Sequence, residues 1–286
     1  MYSADFDYHR ARSIEEALRM MGSNPGAKLL AGGHSLIPLL KLRLAAPAAV
    51  IDIGRVPELR GIAVVGNAIR IGALTTHAEI AGSADIKRSA TALADAAAIV
   101  GDPAVRNRGT IGGNVAHADP ASDLPTVLVA LGASIEVAGP KGKRAIAAAD
   151  FFTGIMTTAI GDDEILTDVV VPAAARGQAS AYAKFSHPAS RYAVVGAAAF
   201  VTIANGTCTA AHLAIGGIVS HAQRLPSVEA RLKDQALSDA AIGAAAAETA
   251  KDLGDVNGDI FASAEYRRAV APVYVKRAIA AAAARA

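Results

Sequence analysis

Leu29-Leu30-Ala31-Gly32-Gly33-His34-Ser35-Leu36 is the segment that fixes the kind of fold this chain adopts. Two adjacent glycines after an apolar strand let the backbone turn tightly and bring its N–H groups close to a ligand. A diphosphate needs such a bend, because its oxygens accept converging backbone donors and a Cβ would intrude. Ser35 adds a hydroxyl. A single Gly-Gly pair is as a rule an ordinary turn, but the construction recurs in Arg108-Gly109-Thr110-Ile111-Gly112-Gly113-Asn114-Val115-Ala116. There Thr110 offers a hydroxyl, and Asn114 offers both donors and an acceptor. Neither segment has the Gly-Lys-Ser/Thr ending of a P-loop. Neither is Gly-x-Gly-x-x-Gly before a crossover helix, so both common nucleotide motifs are disfavoured. Two such loops, far apart in the chain, suit a clamp on one elongated phosphate ligand.

Outward from these loops the chain divides into three regions, 1–56, 57–176 and 177–286. In the first, Ser13 caps a short helix whose Ile14, Ala17, Leu18 and Met21 share a face, and Val50 to Ile53 reads as a strand. In the second, Ile62–Val65 and Ile69–Gly72 flank Gly66-Asn67, a hairpin with a two-residue turn. Ser89 to Val100 reads as one helix, and Gly101 to Asp119 as a long polar loop. A helix starts at Ser122 or Asp123 with Pro125 in its first turn. Ser134–Ala138 and Arg144–Ala148 form another hairpin, and Ile165–Val171 a strand. The third region has strands at 179–185, 193–204 and 208–215, then helices at 228–235, 240–252 and 264–285. Strands followed by helices predict an α+β domain with a helical layer on an antiparallel sheet.

The 286 residues are 52% hydrophobic and 19% charged, which excludes a disordered chain. A net charge of +2 is too even to point to nucleic acid. Cys208 is the only cysteine, so no intrachain disulfide and no iron–sulfur cluster held by this chain alone is possible. It reads as a small buried strand residue. The longest apolar stretch, 193–204, is too short to span a membrane and stops at Asn205-Gly206. No basic, apolar secretory leader is visible. His117, Asp119 and Asp123 fit no zinc spacing, so no metal is expected. No Gly-x-Ser-x-Gly elbow marks a serine hydrolase. The basic residues of the last helix read as a solvated face.

Ala31-Gly32-Gly33-His34-Ser35 and Thr110-Ile111-Gly112-Gly113-Asn114 resemble the two FAD-binding motifs of the flavoprotein (medium) subunits of molybdenum hydroxylases, nearest to those of the carbon monoxide dehydrogenase type. The likeness extends to Phe6-Asp7-Tyr8-His9-Arg10, to Leu36 through Leu44, to Asp102-Pro103 with Arg106, and to Tyr266-Arg267-Arg268. It implies an FAD-binding fold of two α+β subdomains, of the vanillyl-alcohol-oxidase (PCMH) type, with a C-terminal domain beside the flavin. It implies that Leu29 to Leu36 hold the FAD diphosphate and that Thr110 to Asn114 continue the cradle. By position, Asp123 matches an acidic FAD ligand, Lys184 a lysine near the flavin, and Val100, Ile165 and Leu166 apolar residues lining the ring. Tyr192 matches a tyrosine beside the isoalloxazine, where it would gate access to the ring.

The family further implies an electron-transfer subunit with no catalytic acid–base set of its own, since the cofactor carries the chemistry. A large chain would hold molybdopterin, a small chain two [2Fe–2S] clusters, and an external acceptor would take the electrons. A dimer of heterotrimers follows, cytoplasmic and reaching the inner face of the membrane through its acceptor. From the residues alone Lys184 reads as a surface strand lysine; from the resemblance it would stabilise anionic reduced flavin. The substrate is decided in the large chain, so a sister enzyme acting on an N-heterocycle, aldehyde or ketone stays open beside carbon monoxide, as do a self-sufficient FAD oxidoreductase and a structural subunit that has lost its flavin. A valine at Gly33 or Gly113 is expected to abolish FAD binding and leave a folded apoprotein.

Overall fold

The structure, a computed structural model, describes residues 2–286; Met1 lies outside them. The first sheet joins β1 (Asp7–Arg10), β2 (Lys28–Leu30) and β3 (Ala49–Asp52) in the order β1-β3-β2, all parallel. Parallel neighbours need crossovers. α1 (Ile14–Ser23) supplies one, started by the Ser13 hydroxyl accepting from the Glu16 N–H at 3.1 Å. α2 (Leu36–Lys41) lies in the other. The first glycine loop joins β2 to α2, at the carboxyl end of a parallel strand, where open parallel sheets take their ligands.

The second sheet is antiparallel. β4 (Ile62–Val65) and β5 (Ala68–Gly72) form the expected hairpin, with Gly66 at φ +60° as a two-residue turn requires. Between β5 and the next strand run α3 (His77–Gly82), α4 (Ala84–Ser89), α5 (Thr91–Ile99), α6 (Pro103–Arg106), α7 (Ile111–His117) and α8 (Asp123–Ala130). Then come β6 (Ser134–Gly139), β7 (Gly142–Ala147), α9 (Ala148–Phe151), a small ribbon of β8 (Phe152–Gly154) and β9 (Thr157–Thr158), and β10 (Ile165–Pro172). The sheet order is β4-β5-β10-β6-β7.

Two expectations fail here. The span read as one helix from Ser89 to Val100 breaks at Ala90, where α4 ends and α5 begins. The span read as one polar loop, 101–119, contains α6 and α7. Asp102 caps α6, its Oδ1 accepting from the Val105 N–H at 2.9 Å. Thr110 caps α7, its hydroxyl accepting from the Gly113 N–H at 3.2 Å. Glycine's poor helix propensity hides α7 in the sequence. Packing overrides it, because Gly112 sits against Ala73.

The third sheet, β11 (Gln178–Ser186), β12 (Ala193–Ala204), β13 (Thr207–Gly216) and β14 (Gln223–Arg224), is an antiparallel meander. It is followed by α10 (Pro226–Leu232), α11 (Asp239–Ala246), α12 (Thr249–Asp252) and α13 (Ala264–Ala283), the span 240–252 being two helices rather than one. The unbroken apolar run of β12 has a simple cause: the strand is covered on both faces. Ala197, Ala199 and Val201 join the core beneath α10 and α13, and Ala198 joins the core shared with α5 and α8. The third sheet is thereby pressed onto α5 and α8, which flank the second glycine motif in the chain. Ala193 N–H donates to the Ala121 carbonyl at 3.0 Å, and Gly217 N–H to Pro120 at 2.7 Å. Buried Arg267 clamps the same strand ends through the Val194 and Gly217 carbonyls.

Candidate functional site

A cavity of about 1060 Å³ opens where the three sheets meet. Leu29, Ala31, Gly32, Gly33, His34, Ser35 and Leu36 line it from the first motif, and Thr110, Gly112, Gly113 and Asn114 from the second. Val100, Asp123, Ile165, Leu166 and Tyr192 complete the expected set. Three expected residues are elsewhere. Leu30 faces a smaller cavity of about 410 Å³ on the other side of the first loop. Ile111 is fully buried in the core, as the first helical residue after its cap. Lys184 is absent from the lining. The walls also hold residues that sequence reasoning missed, among them Lys28, His77, Ile160, Asp162 and Arg191.

The two loops converge, but the reason for their glycines differs from the expected one. A Cβ on Gly32 would stand 2.1 Å from the Arg108 carbonyl oxygen, and one on Gly112 would stand 2.5 Å from Ala73 Cβ. Gly33 has φ +78°, and its Cβ would meet the Ile37 side chain at 2.6 Å. A Cβ on Gly113 would meet its own cap, Thr110 Oγ1, at 3.0 Å and Ala31 Cβ at 3.8 Å. These glycines let the chain approach itself; the added carbons would strike protein. A valine at Gly33 is strained by its dihedral as well as its contacts, so the expectation of a quietly folded apoprotein does not hold there.

The loops also differ in what they offer a ligand. The N–H groups of Gly32, Gly33, His34, Ser35 and Leu36 find no acceptor among the described residues. Five successive free donors around a positive-φ glycine make an anion nest. In the second motif the donors after Thr110 are spent: Ile111 N–H on Thr75 at 2.9 Å, Gly112 on Ala73 at 2.8 Å, and Asn114 on Thr110 at 3.0 Å. The Gly113 N–H is held by its cap. The first loop therefore offers a ligand five unpaired backbone donors, and the second offers only the Thr110 N–H.

Lys184 is not the surface lysine that strand periodicity suggests. Its side chain is 2% exposed, with Nζ 2.7 Å from Asp123 Oδ2. The Tyr182 hydroxyl donates to Asp123 Oδ1 at 2.7 Å. Burial pushes the Asp123 carboxyl up, and the Lys184 ammonium and Tyr182 phenol pull it back. Asp123 faces the cavity and Lys184 stands behind it. Tyr192 is 42% exposed at the cavity's edge, which excludes ordinary core packing. Burial and the carboxylates of Asp119 and Asp123 raise its phenol, keeping it protonated.

His77 is the residue whose local signal was legible. Thr76-His77-Ala78-Glu79 is a capping box: the Glu79 N–H donates to the Thr76 hydroxyl, and the Glu79 carboxylate accepts from the Thr76 N–H. The ring is buried, and its pKa is lowered to about 4, first by desolvation and then by neighbouring His34. Between about pH 6.5 and 4 the unfolded chain takes up a proton that the folded chain refuses, so stability is lost as pH falls. Relative to His77→Gln, wild type is expected to lose about 3 kcal/mol between pH 7 and pH 4. Urea midpoints of both proteins across that range check this; parallel profiles would refute it.

The site fits an elongated, doubly charged cofactor. Its volume lies at the upper limit of ordinary small-molecule pockets, its nest suits a diphosphate, and Asn114 Oδ1 is buried without a partner. The lining also includes apolar Val100, Ile165 and Leu166, as a flat ring system needs. Residues 4–174 match the family described as "FAD binding domain in molybdopterin dehydrogenase", and residues 180–282 match the "CO dehydrogenase flavoprotein C-terminal domain". The chain is 38% identical over 281 residues to the carbon monoxide dehydrogenase medium chain of Hydrogenophaga pseudoflava, covering 98% of each. It is 37% identical over 278 residues to the nicotine 6-hydroxylase medium subunit of Paenarthrobacter nicotinovorans, covering 97% of each. The crystallised carbon monoxide dehydrogenase of H. pseudoflava superposes with a TM-score of 0.95 at 38% identity, over 100% of this chain and 99% of that one. This chain belongs to the FAD-binding medium subunits of the molybdenum hydroxylases, the oxidoreductase flavoproteins of the carbon monoxide and xanthine dehydrogenase type.

Proposed function

We propose that this chain is the electron-exit subunit of a heterotrimeric hydroxylase. It takes electrons from [2Fe–2S] clusters on a small partner chain and delivers them to an external acceptor, while a large molybdopterin chain oxidises the substrate. The observation that supports this most is the cavity's lining, which includes apolar Val100, Ile165 and Leu166 together with the partly exposed Tyr192. Bound FAD supplies the step between paired and single electron transfers. The chain's own residues hold the diphosphate at 32–36, exclude water around the ring, and leave one edge accessible. The single cysteine agrees with clusters being held elsewhere.

In this proposal residues 1–56 and 57–176 are the two FAD-binding subdomains and 177–286 the C-terminal domain. The overall reaction is of the carbon monoxide dehydrogenase type. The complex is a dimer of heterotrimers in the cytoplasm, meeting its acceptor at the inner face of the membrane. Among the described residues no helix is long and apolar enough to cross a membrane. The test is to purify the chain alone and in its complex. Alone it should carry one FAD, accept electrons from dithionite and release them to an acceptor dye, yet oxidise no carbon monoxide, aldehyde, ketone or N-heterocycle. Turnover by the isolated chain would make it a self-sufficient flavoenzyme, and a colourless chain unable to take up FAD would make it structural.

A further inference from the structure

We propose that His77 is a ligand of the bound cofactor's diphosphate, donating a neutral Nε2–H from the wall opposite the nest. This rests on the cavity being the FAD site. The backbone donors of residues 111–114 in the second motif are committed, and the Asn114 side-chain amide gives one of its two hydrogens to the Ser122 hydroxyl at 2.6 Å. Beside the Thr110 N–H, further donors on that side are side chains. His77 stands where it is needed. Its own N–H donates to the Gly109 carbonyl at 3.1 Å, and Thr76 bridges Thr110. The ring edge at Cδ2 and Nε2 lies along Gly109, so close that a Cβ there would be 2.9 to 3.0 Å away. His77, His34 and Gly109 all line the same cavity.

The tautomer follows from the other nitrogen. His77 Nδ1 is buried and has no hydrogen-bond partner. A buried N–H without an acceptor is rarer and costlier than a buried lone pair, so the proton belongs on Nε2. A second proton would put a donor into a dry wall, consistent with the depressed pKa. The ring is thus a fixed single donor near neutral pH. A fixed, uncharged donor adds directionality to a site whose other donors are mostly backbone N–H groups of one loop.

The test compares His77→Gln, His77→Asn and His77→Phe for binding FAD and riboflavin, which lacks phosphate, to the deflavinated full chain by fluorescence quenching. Glutamine places an amide N–H near the histidine Nε2 position and asparagine near Nδ1. His77→Phe and His77→Asn should weaken FAD about ten- to a hundredfold and leave riboflavin within about twofold. His77→Gln should restore most of the FAD affinity. Nitrogen-15 shifts of wild type should report the Nε2–H tautomer with and without FAD. Unchanged FAD affinity in His77→Phe, rescue by Asn instead of Gln, or equal losses of FAD and riboflavin would each overturn the proposal. If wild type binds no FAD, the cofactor assignment fails instead, and the tautomer measured in the empty protein still judges the histidine.

Discussion

Gly32→Ala is expected to yield a protein that retains no FAD after desalting and is less stable by about 3 kcal/mol. The added carbon would sit 2.1 Å from the Arg108 carbonyl oxygen, 2.8 Å from its carbon and 3.0 Å from Gly109 Cα. All three are backbone atoms, so no side-chain rotation relieves the contact. The first loop must lift from the second, and the five free donors of residues 32–36 then lose their common focus. Hydrogen bonds to a charged group contribute about 1.5–3 kcal/mol each, so scattering even two of them costs more than a hundredfold in affinity. Gly113→Ala is the control. Its Cβ meets one hydroxyl at 3.0 Å, which yields more easily, and that protein should remain yellow. Flavin absorbance per chain and the thermal midpoint of each variant check this. Stoichiometric FAD in Gly32→Ala would refute the close approach of the two loops.

Lys184→Met is expected to destabilise the chain by about 3–5 kcal/mol, because it leaves a buried carboxylate without its cation. Asp123 and Lys184 are 5% and 2% exposed, at 2.7 Å. In the variant Asp123 should take up a proton, since burial already pushes it that way. Lys184→Met with Asp123→Leu should recover most of the stability, as apolar replacements of buried pairs commonly do. Urea unfolding of the single and double variants measures both effects; a single-variant loss below about 1 kcal/mol would contradict a buried pair. The same geometry bears on the flavin. Loss of the cation accompanied by neutralisation of Asp123 leaves the local charge near zero, so the flavin potential is expected to move little. A large negative shift would return Lys184 to the direct role that the family resemblance implied.

Local signals were legible where the cause is local. Gly66-Asn67 fixed a hairpin, Ser13 a helix start, and Asn205-Gly206 the end of a long strand. Residues of both glycine motifs line the cavity. Their division of labour was hidden, because it depends on which carbonyls, Ala73 and Thr75, lie across from the second motif. Those partners come from a turn after β5, some forty residues away. Lys184 was hidden for a similar reason. Strand alternation gives a face, but only the docking of the third sheet against α8, through β12 and β13, turns Lys184 inward onto Asp123. The helix α7 was obscured by its glycines, although its Thr110 cap was in plain view.

The central claim is that one anion nest, at Gly32 to Leu36, grips the diphosphate while the second glycine motif walls it in. Electron density from crystals of the flavin-loaded protein tests this most directly. The diphosphate should lie within hydrogen-bonding distance of the backbone nitrogens of residues 32–36, facing Thr110 and Asn114, with the ring toward Val100, Ile165 and Tyr192. A diphosphate seated in the smaller cavity behind the loop, or a flavin bound away from both motifs, would contradict it.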